Sequence, residues 1–206
     1  SLGHNKGRVR GWRSIRLNHG SLDEVDNMKE FDVVVWGATG FTGRLVAEYL
    51  AETYGTGMDQ LSWAVAGRSE AKLRSVAEEF GFSGVPRLVA DSMDEESIRA
   101  MAERTSVVCT TVGPYALYGQ PLVKICAELG VHYCDLAGEV QWMRDMIEAY
   151  HATAEASGAK IVHTCGFDSL PSDLGVHFLQ QAFLDRFSST ANEVHYRMMR
   201  AKGGAS

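Results

Sequence analysis

No apolar run in this chain of 206 residues approaches the ~20 residues that a membrane-spanning helix needs, which excludes a helical span. Cysteine is scarce. Cys109, Cys126, Cys134 and Cys165 are scattered without a paired spacing, which argues for reduced thiols in a cytoplasmic compartment rather than a disulfide framework. Positive charge is not in excess, and a net charge of −6 gives nucleic acid no electrostatic footprint to meet. Internal repeats and low-complexity tracts are absent. No Gly-x-Ser-x-Gly elbow sits on a strand-to-helix turn, so Asp168-Ser169 and the seven histidines do not make a hydrolase signature. What remains is an ordinary globular composition, 45% hydrophobic and 22% charged, enough for one sizeable core or one domain and part of another.

Residues 1–27 differ from the rest. Ser1 to Gly20 holds Lys6, Arg8, Arg10, Arg13 and Arg16 and no acid, without the apolar stretch of a secretory signal or a clear helical stripe. The segment reads as added or translated upstream sequence, poorly ordered, with Met28 as the natural start.

From Phe31 onward the pattern becomes specific. Phe31-Asp32-Val33-Val34-Val35-Trp36 reads as a strand. Gly37-Ala38-Thr39-Gly40-Phe41-Thr42-Gly43 is a glycine turn, and an amphipathic run from Arg44 to Leu50 follows. Strand, Gly-x-x-Gly-x-x-Gly and helix form the context of a dinucleotide fingerprint. Gly37 permits the tight turn, Gly40 lets backbone approach a pyrophosphate, and Gly43 allows the helix to pack closely. The free N–H groups and positive dipole end of the new helix then face the phosphates.

The next strand, Leu61 to Ala66, ends in Gly67-Arg68-Ser69. An acid at this point would accept from the ribose 2′-hydroxyl of NAD, whereas an Arg suits the 2′-phosphate of NADP. Ser69 adds a donor and Lys72 a second cation, so the cofactor expected is NADP.

Strands are predicted at 31–36, 61–66, 86–90, 106–112, 131–134 and 159–164. Helices are predicted at 43–54, 70–80, 94–104, 119–129, 139–157 and 172–186. Ser92 with Glu95 resembles a capping box, and Gly130 and Gly158 stand where helix-ending glycines belong. Six alternating units with apolar strands predict an α/β fold, a doubly wound parallel sheet of Rossmann type in the order 3-2-1-4-5-6. The Rossmann domain is assigned to 28–190. At 193–200 the alternation of Val194, Tyr196 and Met198 predicts a further strand.

In such sheets ligands bind beyond the carboxyl ends of the strands. Asp91 and Ser92 are placed to meet the adenine or its ribose, or else only to cap a helix. Val112, Gly113, Pro114 and Tyr115 are placed under the ribose–nicotinamide end. Asp135, Glu139 and Asp168 bring carboxylates to the same edge, while Ser172 and Asp173 suit a helix opened near Pro171. The pairs His132/Cys134 and His163/Cys165 invite a zinc reading, but burial in a covered sheet favours core residues, and no metal is expected.

The glycine turn, Ala66-Gly67-Arg68, Val112-Gly113-Pro114-Tyr115, Tyr133-Cys134-Asp135-Leu136-Ala137-Gly138-Glu139 and Gly166-Phe167-Asp168-Ser169-Leu170-Pro171-Ser172-Asp173 resemble, in this order, the saccharopine dehydrogenase-like family. The nearest branch is a membrane-associated, lipid-linked one that includes bacterial trans-acting enoyl reductases. The resemblance implies an NADP-binding Rossmann domain followed by an α+β domain that shapes the substrate pocket. It further implies hydride transfer between nicotinamide and an activated C=C or C=N bond of a small-molecule or lipid-linked substrate. Peripheral membrane association, and oligomers formed through the second domain, are compatible with it. Residues 191–206 resemble the entrance to that second domain, so the chain is expected to bind cofactor without turnover. The alternative is a non-catalytic regulatory module that senses NADP. No catalytic residue is assigned, although Tyr115, Asp135 and Glu139 fall near the nicotinamide end.

Overall fold

The computed structural model describes residues 29–57 and 59–197. Its strands are β1 (Phe31–Trp36), β2 (Trp63–Gly67), β3 (Arg87–Val89), β4 (Thr105–Thr110), β5 (His132–Cys134) and β6 (Ile161–Val162). The helices are α1 (Phe41–Tyr54), α2 (Glu70–Glu79), α3 (Glu95–Ala102), α4 (Tyr115–Tyr118), α5 (Gln120–Leu129), α6 (Val140–Ser157) and α7 (Leu170–Phe187). All strand pairs are parallel, in the order β3-β2-β1-β4-β5-β6, as the sequence predicts. The order reverses between β1 and β4, and the loops that leave these two strands therefore diverge to open a crevice.

Two apolar layers clothe the sheet. On one face α1 and α2 bury Ala47, Leu73 and Ala77 against Val35, Trp63 and Val65. On the other, α3, α5 and α6 bury Ile98, Leu122, Ile125 and Met146 against Val34, Val108 and Tyr133. The β-branched run of β1 supplies both layers, because successive side chains point to opposite faces. Gly130 and Gly158 end α5 and α6 in the left-handed conformation, as expected. α7 is different: none of its residues is buried, and Leu174, Phe178 and Phe187 are exposed.

The structure corrects several boundaries. The capping box at Ser92 and Glu95 does not form. Asp91 accepts from the Met93 amide and makes its own turn, and Asp94 then caps α3 by accepting from the Glu96 and Ser97 amides. α4 was not anticipated. α7 opens at Leu170, with Ser169 at the N-cap and Pro171 in the first turn, rather than at 172. The strand expected at 193–200 is absent over 193–197, and Met198 to Arg200 lie outside the described residues, as do residues 1–28. β6 stops at Val162, not 164, because the chain turns away there: Thr164 takes φ 60° and His163 reaches across to Asp135.

Asp135 is the reason for that turn. The residue is only 2% exposed, yet its carboxylate is met by four donors. One carboxylate oxygen accepts from the Tyr133 hydroxyl at 2.8 Å and from His163 Nδ1 at 2.6 Å. The other accepts from the amides of Ala137 and Thr164, both at 3.0 Å. Burial alone would push this carboxyl up. The hydrogen bonds from His163, Ala137 and Tyr133 outweigh it and hold the carboxyl below its ordinary value. Asp135 thus ties the loop after β5 to the loop after β6.

The glycine turn is closed by contact of backbone with backbone. Gly37 has φ +96°, and a Cβ there would lie 2.6 Å from Thr111 Oγ1. A Cβ at Gly43 would lie 2.1 Å from the Gly37 carbonyl oxygen, far inside contact distance. The close approach expected of Gly43 is therefore real, although its partner is the turn itself.

Two outcomes follow from this geometry. Gly43→Ala should lower stability by about 1–3 kcal/mol in urea unfolding through overpacking, whereas Gly175→Ala, in α7, should be neutral or slightly stabilising because a Cβ there meets nothing within 4 Å. Asp135→Asn should cost about 3 kcal/mol near neutral pH, since an amide cannot satisfy four donors. Because the folded carboxyl lies below its unfolded value of about 3.9, its contribution is complete above that pH and is lost as pH falls through the folded value. Urea midpoints measured from about pH 7 to pH 2 should keep a constant gap between the parent and Asp135→Asn down to about pH 4, and below that the parent should lose stability more steeply than the variant.

Candidate functional site

The carboxyl ends of β1 and β4 lie side by side, with Thr111 N donating to the Trp36 carbonyl at 2.9 Å. Two clefts meet above them. The first, about 250 Å³, is lined by Gly37, Thr39, Gly40, Arg68, Ser92, Val112 and Gly113, and also by Trp36, Gly67, Thr111 and Tyr118. The second, about 500 Å³, runs past Gly40, Phe41, Thr42, Gly113, Pro114 and Tyr115 to Leu136, Gly138, Glu139 and Asp168. Gly40, Thr111 and Gly113 belong to both, so the clefts form one continuous groove across the start of α1.

That helix start is an anion site in waiting. Gly40 at the N-cap offers no side chain, the first turn holds no acid, and the amides of Phe41, Thr42 and Gly43 bond to no described residue. Unbonded N–H groups and the positive dipole end together favour phosphate. Arg68, which directly follows β2, lines the first cleft, is exposed, and its side chain pairs with no described residue.

Not every residue singled out from sequence faces the groove. Ala38 is fully buried in the α1–α2 layer, and Gly43 lies beneath the turn. Ser69 caps α2, its Oγ accepting from the Lys72 amide at 3.4 Å, and neither Ser69 nor Lys72 lines a cleft. Asp91 is occupied by its own turn, while Ser92 beside it is buried and lines the first cleft. Tyr115 lines the second cleft, but its ring is 5% exposed and packs on Trp142 at 5.5 Å, and its hydroxyl donates to the Thr110 carbonyl at 3.1 Å. Burial pushes this phenol well above its ordinary value, so it stays a neutral hydroxyl.

Of the carboxylates expected at this edge, Asp135 is consumed by the core and Asp168 is exposed at the rim of the second cleft. Glu139 accepts from the amides of Tyr115 at 2.7 Å and Ala116 at 2.8 Å. The histidine–cysteine pairs do not gather: His132 accepts from the Lys160 amide through Nδ1, and His163 donates to Asp135. No cluster suited to a metal is found among the described residues. Trp36, Thr111 and Tyr118 were not singled out from sequence. The only signal that reaches Trp36 and Thr111 is their place at strand ends beside the switch point.

The sequence of this chain is similar to those of known proteins. The trans-acting enoyl reductase of Mycobacterium leprae is 46% identical over 159 residues, 76% of this chain and 37% of that protein. One of the same name from Mycobacterium tuberculosis is 47% identical over 153 residues, 73% of this chain and 36% of that protein. A further M. tuberculosis protein, named only provisionally as a trans-acting enoyl reductase, is 46% identical over 180 residues, 86% of this chain. The chain spans 42% of that relative's length. Among solved structures, apo saccharopine dehydrogenase (L-Glu forming) from Saccharomyces cerevisiae shares the fold, with a TM-score of 0.55 at 17% identity over 72% of this chain and 32% of that one. Residues 33–162 match the family model of the saccharopine dehydrogenase NADP binding domain, and the chain belongs to that family.

Proposed function

We propose that this chain is the cofactor-holding half of an NADP(H)-dependent reductase that delivers hydride to an activated C=C bond, an enoyl group on a lipid-linked substrate, in preference to a C=N bond. The observation that carries the cofactor half is the presence, along the two adjoining clefts, of unbonded α1 amides in the one and an unpaired Arg68 in the other. The residues fit the group. The amides of Phe41 and Thr42 would take the pyrophosphate, at a helix start that a bare Gly43 lets pack against the Gly37 carbonyl. Arg68 would take the 2′-phosphate and Ser92 would face the adenosine. When bound, the cofactor supplies the hydride, and the protein's part is position and electrostatics.

The preference for an enoyl substrate rests on the names of the relatives. Substrate would enter the second cleft, where the Tyr115 backbone, Leu136, Gly138 and the exposed Asp168 form the walls. The same names give the regulatory alternative no support. Contact with a membrane surface belongs to the lipid-linked part of this reading. No described helix is long and apolar enough to cross a membrane.

Calorimetry tests the phosphate role. Arg68→Ala should weaken NADPH by about 1.5–3 kcal/mol and leave NADH nearly unchanged. Equal losses for both would remove Arg68 from the 2′-phosphate. The reaction is tested by titrating the chain with NADPH and then following NADPH oxidation over enoyl-thioester and imine substrates. Saturable binding without oxidation is expected from the 206 residues, and enoyl-selective oxidation from a protein of the relatives' full length. Imine-selective oxidation by the long form would overturn the choice of substrate.

A further inference from the structure

Glu139 sits at the N-cap position of α6, where a side chain ordinarily serves its own helix, yet it makes no such bond. Instead its half-buried carboxylate crosses to the loop after β4. Oε1 accepts from the Tyr115 amide at 2.7 Å and Oε2 from the Ala116 amide at 2.8 Å. Both oxygens are thus engaged with two consecutive backbone donors, a two-point clasp that fixes orientation as well as distance. One turn along α6, Trp142 stacks on the Tyr115 ring and fills the space beside Gly119, where a Cβ would lie 2.5 Å from its ring. The start of α6 therefore holds Tyr115 by backbone and side chain together.

The clasped segment matters because of what it borders. Gly113 lines both clefts, and Pro114 and Tyr115 wall the second. The adenosine end would rest on the loops after β2 and β3 in the first cleft, which Glu139 does not line, and Glu139 makes no hydrogen bond to the α1 amides. Only the wall beyond Gly113 depends on it.

We propose that Glu139 is a positioning residue for the nicotinamide half of the cofactor: its carboxylate sets the backbone of Pro114–Ala116 so that the ribose–nicotinamide end finds a formed wall. Glu139 does not itself act on substrate. The inference rests on the NADP(H) reading above and gives a role to a carboxylate that the sequence places at this edge without assigning it one.

The test separates the two halves of the ligand. NADPH and 2′,5′-ADP, which has the adenosine and its 2′-phosphate but no nicotinamide, are titrated into the 206-residue chain and into Glu139→Gln. An amide presents one acceptor and one donor to two N–H groups, so half of the clasp is lost. Affinity for NADPH should fall roughly ten-fold or more while 2′,5′-ADP binds unchanged. Amide exchange in the parent chain gives a second reading that needs no variant: NADPH should slow exchange at Tyr115 and Ala116, and 2′,5′-ADP should not. Unchanged NADPH affinity, or equal loss of both ligands, would overturn the positioning role. So would equal protection by both ligands. Failure of the parent chain to bind either ligand would instead refute the site proposed for NADP(H), which keeps the two failures apart.

Discussion

The contact between Gly43 and the Gly37 carbonyl is the constraint on which the site depends. A single methyl at position 43 would sit 2.1 Å from that oxygen, so α1 can start where it does only if this position is bare. Because α1 starts there, its first amides point into the crevice between β1 and β4 instead of into a cap. The helix dipole, the unbonded N–H groups and the switch point of the sheet then coincide. Arg68 adds charge at one end of the crevice and the Glu139 clasp adds shape at the other. Each acts on a groove whose existence is set by backbone packing.

A second layer of organisation joins the loops around the second cleft. Asp135 gathers Tyr133, Ala137, His163 and Thr164 from two neighbouring strand ends. Four residues on, Glu139 reaches back to the loop after β4. The loops after β4, β5 and β6 are thereby linked through two carboxylates, one buried and inaccessible, the other half-buried at the cleft wall. Carboxylates suit this work because each carries two oxygens and no donor, so one side chain can satisfy several backbone amides at once.

Much of this was legible in the residues. Valine-rich strands, glycine-ended helices and the Gly-x-x-Gly-x-x-Gly turn depend on local chemistry, and the strand order and the places of Gly37, Gly130 and Gly158 came out as expected. Arg68 was legible because its position follows from the end of β2. What local pattern could not show were long-range partners. Asp135 and Glu139 read as carboxylates at the ligand-binding edge, and only the fold reveals that their oxygens are taken up by amides, a tyrosine and a histidine. The early end of β6 has the same origin, since nothing near His163 in sequence announces Asp135. Ser69 and Asp91 show the opposite limit: as good cap and turn residues they already serve nearby backbone, Ser69 accepting from the Lys72 amide and Asp91 from the Met93 amide.

In the proposed complex one dinucleotide lies extended across the crevice, with its 2′-phosphate at Arg68 and its nicotinamide beyond Gly113. A crystal structure of the chain with NADP⁺ tests this most directly. The account predicts the pyrophosphate against the amides of Phe41 and Thr42, the 2′-phosphate within hydrogen-bond reach of the Arg68 guanidinium, and the nicotinamide beside Pro114 and the clasped Tyr115 backbone. A dinucleotide bound in the reverse direction, or one seated away from the start of α1, would contradict it.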